Sequence, residues 1–395
     1  MKWLNKGHEF DEIGKNFMGK ETLYLYGAGL LGERLLKLFD KIKVLQNEVV
    51  FIDRDVDKQK CGYYGKRVIS PDAFFQEEKE NKLVIITASQ KNTPDIEKLL
   101  LKGGYQKEIT YFTYERFVNY YLPIYLLYAH DILYVSSQNI IPSTVCNLNC
   151  EACLNFTPYI KKHVIDDVNM VKKDVDSYFE VVDYIERLQI SGGEPLLYDG
   201  LEELIAHIGR YYREKIFNFE VVTNGTIIPK ESLLKILKKY NVLVYLDDYR
   251  CALPDGQQKY EAVKKLFIEN EVCFVENTVD TWIDLKPYET NNGGMSKEEL
   301  EKYFNRCAVP WSTIRGGKIT SCNYAHYAAK AGIVADFESE YFCFEGLDRS
   351  KRKEFLEFRM GYSEKGYCNF CKRCAGWTSI NPYCVEVAKQ VERKQ

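Results

Sequence analysis

The stretch CNLNCEAC, residues 146–153, places three thiols four and three positions apart. Its reading depends on the redox setting of the chain. The opening residues, MKWLNKGHEFDEIGKNF, lack the apolar core of a secretory leader. The most apolar stretch, residues 118–135, is interrupted by Pro123, His130 and Asp131, so no membrane span is expected. A cytoplasmic location follows. There, clustered thiols are metal or cluster ligands rather than disulfides. A formal net charge of -3 over 395 residues gives no basic footprint, and nucleic acid is not expected as a partner.

The chain has 13 cysteines, and they are unevenly spread. Cys61, Cys251 and Cys273 stand alone and are expected to be small buried apolar residues. The others form two groups: Cys146, Cys150 and Cys153, then Cys307, Cys322, Cys343, Cys368, Cys371, Cys374 and Cys384. Three thiolates in one short loop suit three corners of an iron–sulfur cube or three positions on a zinc ion. No fourth Cys or His stands nearby, so a cube would keep one iron open.

Outward from that loop the chain alternates between strand and helix patterns, which predicts an α/β fold. Residues 22–26, 48–53, 82–89 and 108–114 read as strands of a small parallel sheet. A helix carrying Leu31, Leu35 and Leu38 follows the first strand, and TPDIEKLLLKGG forms another with a glycine stop. Beyond residue 130, five or six strand–helix units predict a full or partial barrel. One of its helices is expected to run from Asp167 to Arg187, with Val171, Val175, Phe179, Val182 and Ile185 on one stripe. WSTIRGGKITSC reads as a hairpin turning at Gly316 and Gly317. Three domains are expected, at 1–118, 119–300 and 301–395. In such barrels ligands sit at the C-terminal ends of the strands. The cysteine loop, SGGEP (191–195) and TNG (223–225) all follow strand ends and are expected to face one site.

C-x3-C-x2-C after a first barrel strand, with Gly192, Gly193, Glu194 and Pro195 after the second, resembles the radical S-adenosylmethionine (SAM) superfamily. The resemblance covers about 170 residues. It implies a [4Fe-4S] cluster on the catalytic Cys146, Cys150 and Cys153, whose open iron binds the methionine part of SAM. It also implies that the Gly-Gly-Glu segment contacts the amino group of SAM, and that Thr223 and Asn224 lie near its ribose. The implied chemistry is reductive cleavage of SAM to a 5′-deoxyadenosyl radical that abstracts hydrogen. Two departures stand out: Ala152 replaces the usual aromatic residue, and YLDD (245–248) stands for the fourth-strand segment.

Cys307-x9-Gly317-x4-Cys322 is similar to the opening of the SPASM/twitch extension. That likeness implies one auxiliary [4Fe-4S] cluster on Cys307, Cys322 and two of Cys368, Cys371 and Cys374; structural zinc is the alternative. The spacing of the last three departs from the two-cluster pattern. In the front segment, GAGLLG (27–32) places Gly27, Gly29 and Gly32 between strand and helix, with Asp53 ending the next strand. This fits a Rossmann-like dinucleotide fingerprint. The rest of the segment looks more like the nucleotide-sugar-binding domain that precedes some sugar acyltransferases, so a nucleotide-linked sugar is favoured over NAD. A Rossmann-like domain without ligand is the alternative.

The expected protein is a radical SAM enzyme acting on a small carbohydrate or nucleotide-sugar-type molecule by oxidation, epimerisation or dehydration. Its electron donor would be a flavodoxin or ferredoxin. A peptide-modifying maturase and a non-catalytic metal scaffold are the alternatives. His163, Asp166 and Asp167 are softer candidates for substrate contact. His326 is expected at the surface.

Overall fold

The computed structural model describes residues 2–17, 22–43, 48–77, 82–89, 91–253, 255–307, 311–377 and 380–392. Its contacts divide the chain into two units, Phe10–Ile132 and Met1–Glu9 with Leu133–Gln395. Residues 119–132, expected with the barrel, therefore group with the front unit.

Among the described residues the front unit holds five parallel strands: β1 (Thr22–Tyr26), β2 (Glu48–Ile52), β3 (Val68–Ile69), β4 (Lys82–Ile86) and β5 (Tyr111–Thr113), in the order 3-2-1-4-5. Every residue of KLVII in β4 is buried, as expected of a central parallel strand covered on both faces. The helix Leu30–Ile42 buries Leu35 and Leu38, with Leu31 half-buried. Helix Val56–Cys61 starts at Asp55, whose carboxylate accepts from the Asp57 and Lys58 amides. The short β3 escaped sequence reading because two residues carry no period.

In the second unit an eight-stranded sheet is built on β6 (Tyr134–Ile140), β7 (Tyr184–Ile190), β8 (Ile216–Thr223), β9 (Leu243–Asp247) and β10 (Phe274–Asn277), parallel and in sequence order. A small ribbon strand, β11 (Thr281–Ile283), follows. A sixth parallel strand, β12 (Thr313–Arg315), joins beside β6 rather than after β10. β12 opens the expected hairpin with β13 (Lys318–Thr320), and β14 (Tyr341–Cys343) extends it. Asp174 receives the Gly316 and Gly317 amides at the hairpin turn, at 2.6 and 2.8 Å. Finally β15 (Cys384–Glu386) pairs antiparallel with β11.

One helix is shorter than its pattern. Val168–Val181 is helical, but Val182 is already extended and Tyr184–Ile190 is strand β7. The helix ends where buried Arg352 donates to the Val181 carbonyl at 3.1 Å and pairs with Asp183. Val182 and Ile185 are fully buried as expected, but from extended backbone. Two other expectations fail on burial. Cys61, Cys251 and Cys273 are exposed rather than buried: they sit at a helix end, in a short 3-10 turn and just before β10. His326 is buried, on a helix (Asn323–Lys330), with its Nδ1 3.0 Å from the hydroxyl of Tyr341 in β14. Among the described residues no helix is long and apolar enough to cross a membrane.

Candidate active site

The C-terminal ends of β6, β7 and β8 are knitted into one junction. Beyond β7 the backbone continues the ladder against the segment leading into the cysteine loop. Gly193 N–H donates to Ser143 O at 2.9 Å and Glu194 N–H to Val145 O at 2.8 Å. A Cβ on Gly193 would stand 2.0 Å from the Val145 carbonyl oxygen, and one on Gly192 would stand 2.5 Å from that of Ser143. Only glycine admits this approach.

Glu194 is 1% exposed. Its carboxylate accepts from Leu196 N–H at 3.0 Å, the Thr223 hydroxyl at 2.8 Å and Asn224 N–H at 2.9 Å. Burial pushes its pKa up to about 7, against the opposing pull of these three donors. The side chain expected to meet an ammonium group is thus occupied within the protein, tying β7 to β8. Thr223 is buried in the same bond. Pro195, itself buried, opens a short turn over Pro195–Leu197. Asn224 donates to Asn147 Oδ1 at 3.0 Å inside the cysteine loop, and Asn147 donates to the Thr226 hydroxyl at 2.7 Å. Asn155 closes the other side by donating to Gly192 O at 2.6 Å. Asn147, Asn155 and Thr226 carry no motif, and sequence reading missed them.

Cys150 is buried, while Cys146 and Cys153 are half-buried. Burial pushes the Cys146 and Cys150 thiols up to about 12. Thiolates there need a cationic partner, and N–H groups already point at sulfur. Leu148 N–H lies 3.4 Å from Cys146 Sγ, and the Gln390 amide lies 3.2 Å from Cys150 Sγ. This donor set, an all-thiolate loop with N–H groups aimed at sulfur beside a glycine-lined approach, fits a cluster.

Below the junction, on the sheet face opposite the helices, the barrel wall is polar. Arg187 of β7 makes a paired contact with buried Glu220 of β8, both bonds 2.9 Å, and Gln189 joins at 3.2 Å. The Tyr245 and Trp311 rings flank the guanidinium at 5.7 and 5.0 Å. Asp247 of the YLDD segment is buried and accepts from Tyr249 and Asn277, both at 2.7 Å. Asp248 pairs with Arg250.

The softer candidates have other partners. Asp167 caps the helix Val168–Val181, Asp166 pairs with Arg315 at 2.6 Å, and His163 faces the Thr144 hydroxyl at 3.3 Å.

Cys307, Cys322, Cys368, Cys371 and Cys374 line one apolar cavity with Tyr303, Tyr324 and Trp377. Hydrogen bonds from Cys322 and Cys371 draw the Cys368 thiol well below its usual value. Burial pushes Cys307 up to about 11 and Cys374 up to about 12. Cys343 and Cys384 are exposed and lie outside this lining. Among the described residues no three Cys, His, Asp or Glu side chains gather tightly enough for a single metal ion. Thiols around a cube each take a separate iron and need not meet at a point.

In the front unit a Cβ on Gly27 would stand 2.7 Å from Ala88 N, and one on Gly32 would stand 2.7 Å from Gly27 O; Gly29 is open. Asp53 does not project freely from its strand end. It accepts from Ala28 N–H at 2.7 Å, and Lys58 donates to Ala28 O at 2.8 Å.

Residues 140–263 match the Radical SAM superfamily model. That segment, which holds the cysteine loop, the Gly-Gly-Glu-Pro run and TNG, is similar to the radical SAM superfamily. The chain is 30% identical over 142 residues to the 7-carboxy-7-deazaguanine synthase of Clostridium acetobutylicum, covering 36% of this chain and 59% of that protein. It is 32% identical over 97 residues to the GTP 3′,8-cyclase of Helicobacter pylori, covering 24% and 28%. It therefore spans less than two thirds of these curated relatives. Among solved structures, BtrN in complex with AdoMet and 2-DOIA overlaps with a TM-score of 0.38 at 17% identity, covering 63% of this chain and 98% of that one.

Proposed function

We propose that the protein binds a [4Fe-4S] cluster through Cys146, Cys150 and Cys153, with SAM beside it, and acts on a small hydroxylated substrate. The observation that carries this reading is the junction itself: three thiols in a loop pressed against Gly192 and Gly193. The bound cluster and SAM would supply reductive cleavage of SAM and hydrogen abstraction. The chain's own contribution is positional. Gly192 and Gly193 let their backbone pack against the segment leading into the cysteine loop, Glu194 and Thr223 hold two loops in register, and Asn224 orients the cysteine loop through Asn147.

The polar wall of Arg187, Gln189 and Glu220 supports a hydrogen-bonding small molecule, of carbohydrate or nucleotide-sugar type, over an apolar one. A peptide substrate is the second reading. The five-cysteine cavity supports one auxiliary [4Fe-4S] cluster in a SPASM/twitch-like segment over 301–395. The glycine turn of the front unit, with Lys58 beside it, supports a nucleotide phosphate there. A flavodoxin or ferredoxin is the proposed electron donor.

The test is iron and sulfide per chain after anaerobic reconstitution, with 5′-deoxyadenosine release after dithionite. About eight irons with deoxyadenosine release, the latter abolished in Cys150→Ala, are expected for two four-iron clusters. Zinc alone, with no deoxyadenosine, overturns the proposal.

A further inference from the structure

The cysteine loop is covered by a segment that follows it by more than two hundred residues. After β15 the chain turns at Ala388, which is fully buried with φ 53°, and runs back along the loop. Glu151 N–H donates to Lys389 O at 2.8 Å and Val391 N–H donates to Asn149 O at 2.9 Å, so residues 389–391 form a strap antiparallel to 149–151. Lys389 and Glu151 pair across it at 2.8 Å. Val387 and Ala388 pack on Leu148 and Cys150 in one apolar cluster. At the centre of the strap Gln390 is held at both ends of its amide. Its oxygen accepts from Asn149 N–H at 2.8 Å, and its nitrogen donates to the Ala388 carbonyl and to Cys150 Sγ, the latter at 3.2 Å.

Resting on the cluster assignment above, we propose that Gln390 is a positioning residue for the first cluster, donating an N–H to the Cys150 thiolate and raising the cluster's reduction potential. A donor to a ligating sulfur stabilises the reduced, more negative cluster over the oxidised one, and a strap that excludes water fixes that donor's direction. Cys146 has a backbone donor within its own loop, at Leu148. Cys150 takes its side-chain donor from 240 residues away. The strap thus sets electron entry and does not merely close the surface.

The test compares reconstituted full-length wild type with Gln390→Glu and Gln390→Leu. The glutamate keeps an oxygen for Asn149 N–H and replaces the donor facing sulfur with an anionic oxygen. The leucine removes all three side-chain bonds. The readout is the potential, by EPR-monitored redox titration, of the cluster whose spectrum changes when SAM is added. Both variants are expected to shift it to more negative potential, the glutamate further than the leucine, with iron content equal to wild type. An unchanged potential in both, or a fall in thermal stability alone, overturns the proposal and leaves the strap as packing. Loss of iron from both variants also overturns it, because Gln390 would then hold the loop together. Absence of a SAM-responsive cluster in wild type itself would instead refute the cluster assignment.

Discussion

Glu194→Ala separates two roles for the same carboxylate. If Glu194 meets the ammonium group of SAM, its loss weakens cofactor binding and leaves the fold alone. The geometry implies more. Leu196 N–H, Asn224 N–H and the Thr223 hydroxyl all donate to it within 3.0 Å, in a site 1% exposed. The alanine leaves two backbone donors buried without an acceptor, while the Thr223 hydroxyl already accepts from Gly225 N–H and can reorient. At about 1–3 kcal/mol for each stranded donor, the junction loses roughly 3 kcal/mol. Every 1.4 kcal/mol is about tenfold in an equilibrium, so opening of the junction rises on the order of 100-fold. Hydrogen exchange at the Leu196 and Asn224 amides reads this directly in apoprotein, with the β4 amides of the front unit as an internal control. Unchanged exchange at both amides, with SAM affinity falling, would refute the assignment of Glu194 as the tie between β7 and β8.

Cys322→Ala is expected to lower iron by about one four-iron cluster while deoxyadenosine release after dithionite persists; unchanged iron would remove the five-cysteine cavity as a cluster site. The acidity of Glu194 adds a pH dependence. Its folded value, about 7, lies above the unfolded 4.5, so its contribution to stability is fully present below 4.5 and is lost as pH rises through about 7. Glu194→Gln is expected to flatten that part of the apoprotein's stability–pH curve, as measured by denaturant melts from pH 5 to 8; parallel curves would contradict it.

The sequence disclosed the longer parallel strands of both sheets, which are apolar runs between turn signals, but not the short β3 and β14, and it disclosed the cysteine and glycine motifs because their spacing is local. It did not disclose where the Val168 helix ends, since Val182 and Ile185 continue a helical stripe while the actual stop is Arg352, far along the chain. The sixth parallel strand is visible as half of a hairpin, but its place beside β6 is a tertiary choice. The motif places Thr223 near the cofactor's ribose but does not reveal its bond to Glu194, which forms because a buried carboxylate takes the nearest donors. Gln390 left no signal at all, since its partner is separated from it by most of the barrel.

That separation also orders events during synthesis. At about 5–20 residues per second, the 240 residues between Cys150 and Gln390 take on the order of ten to fifty seconds to translate. Throughout that interval the loop is made but bare. A cluster installed then meets an open doorway, whereas one installed after the strap has docked must wait for residues 389–391 to lift away.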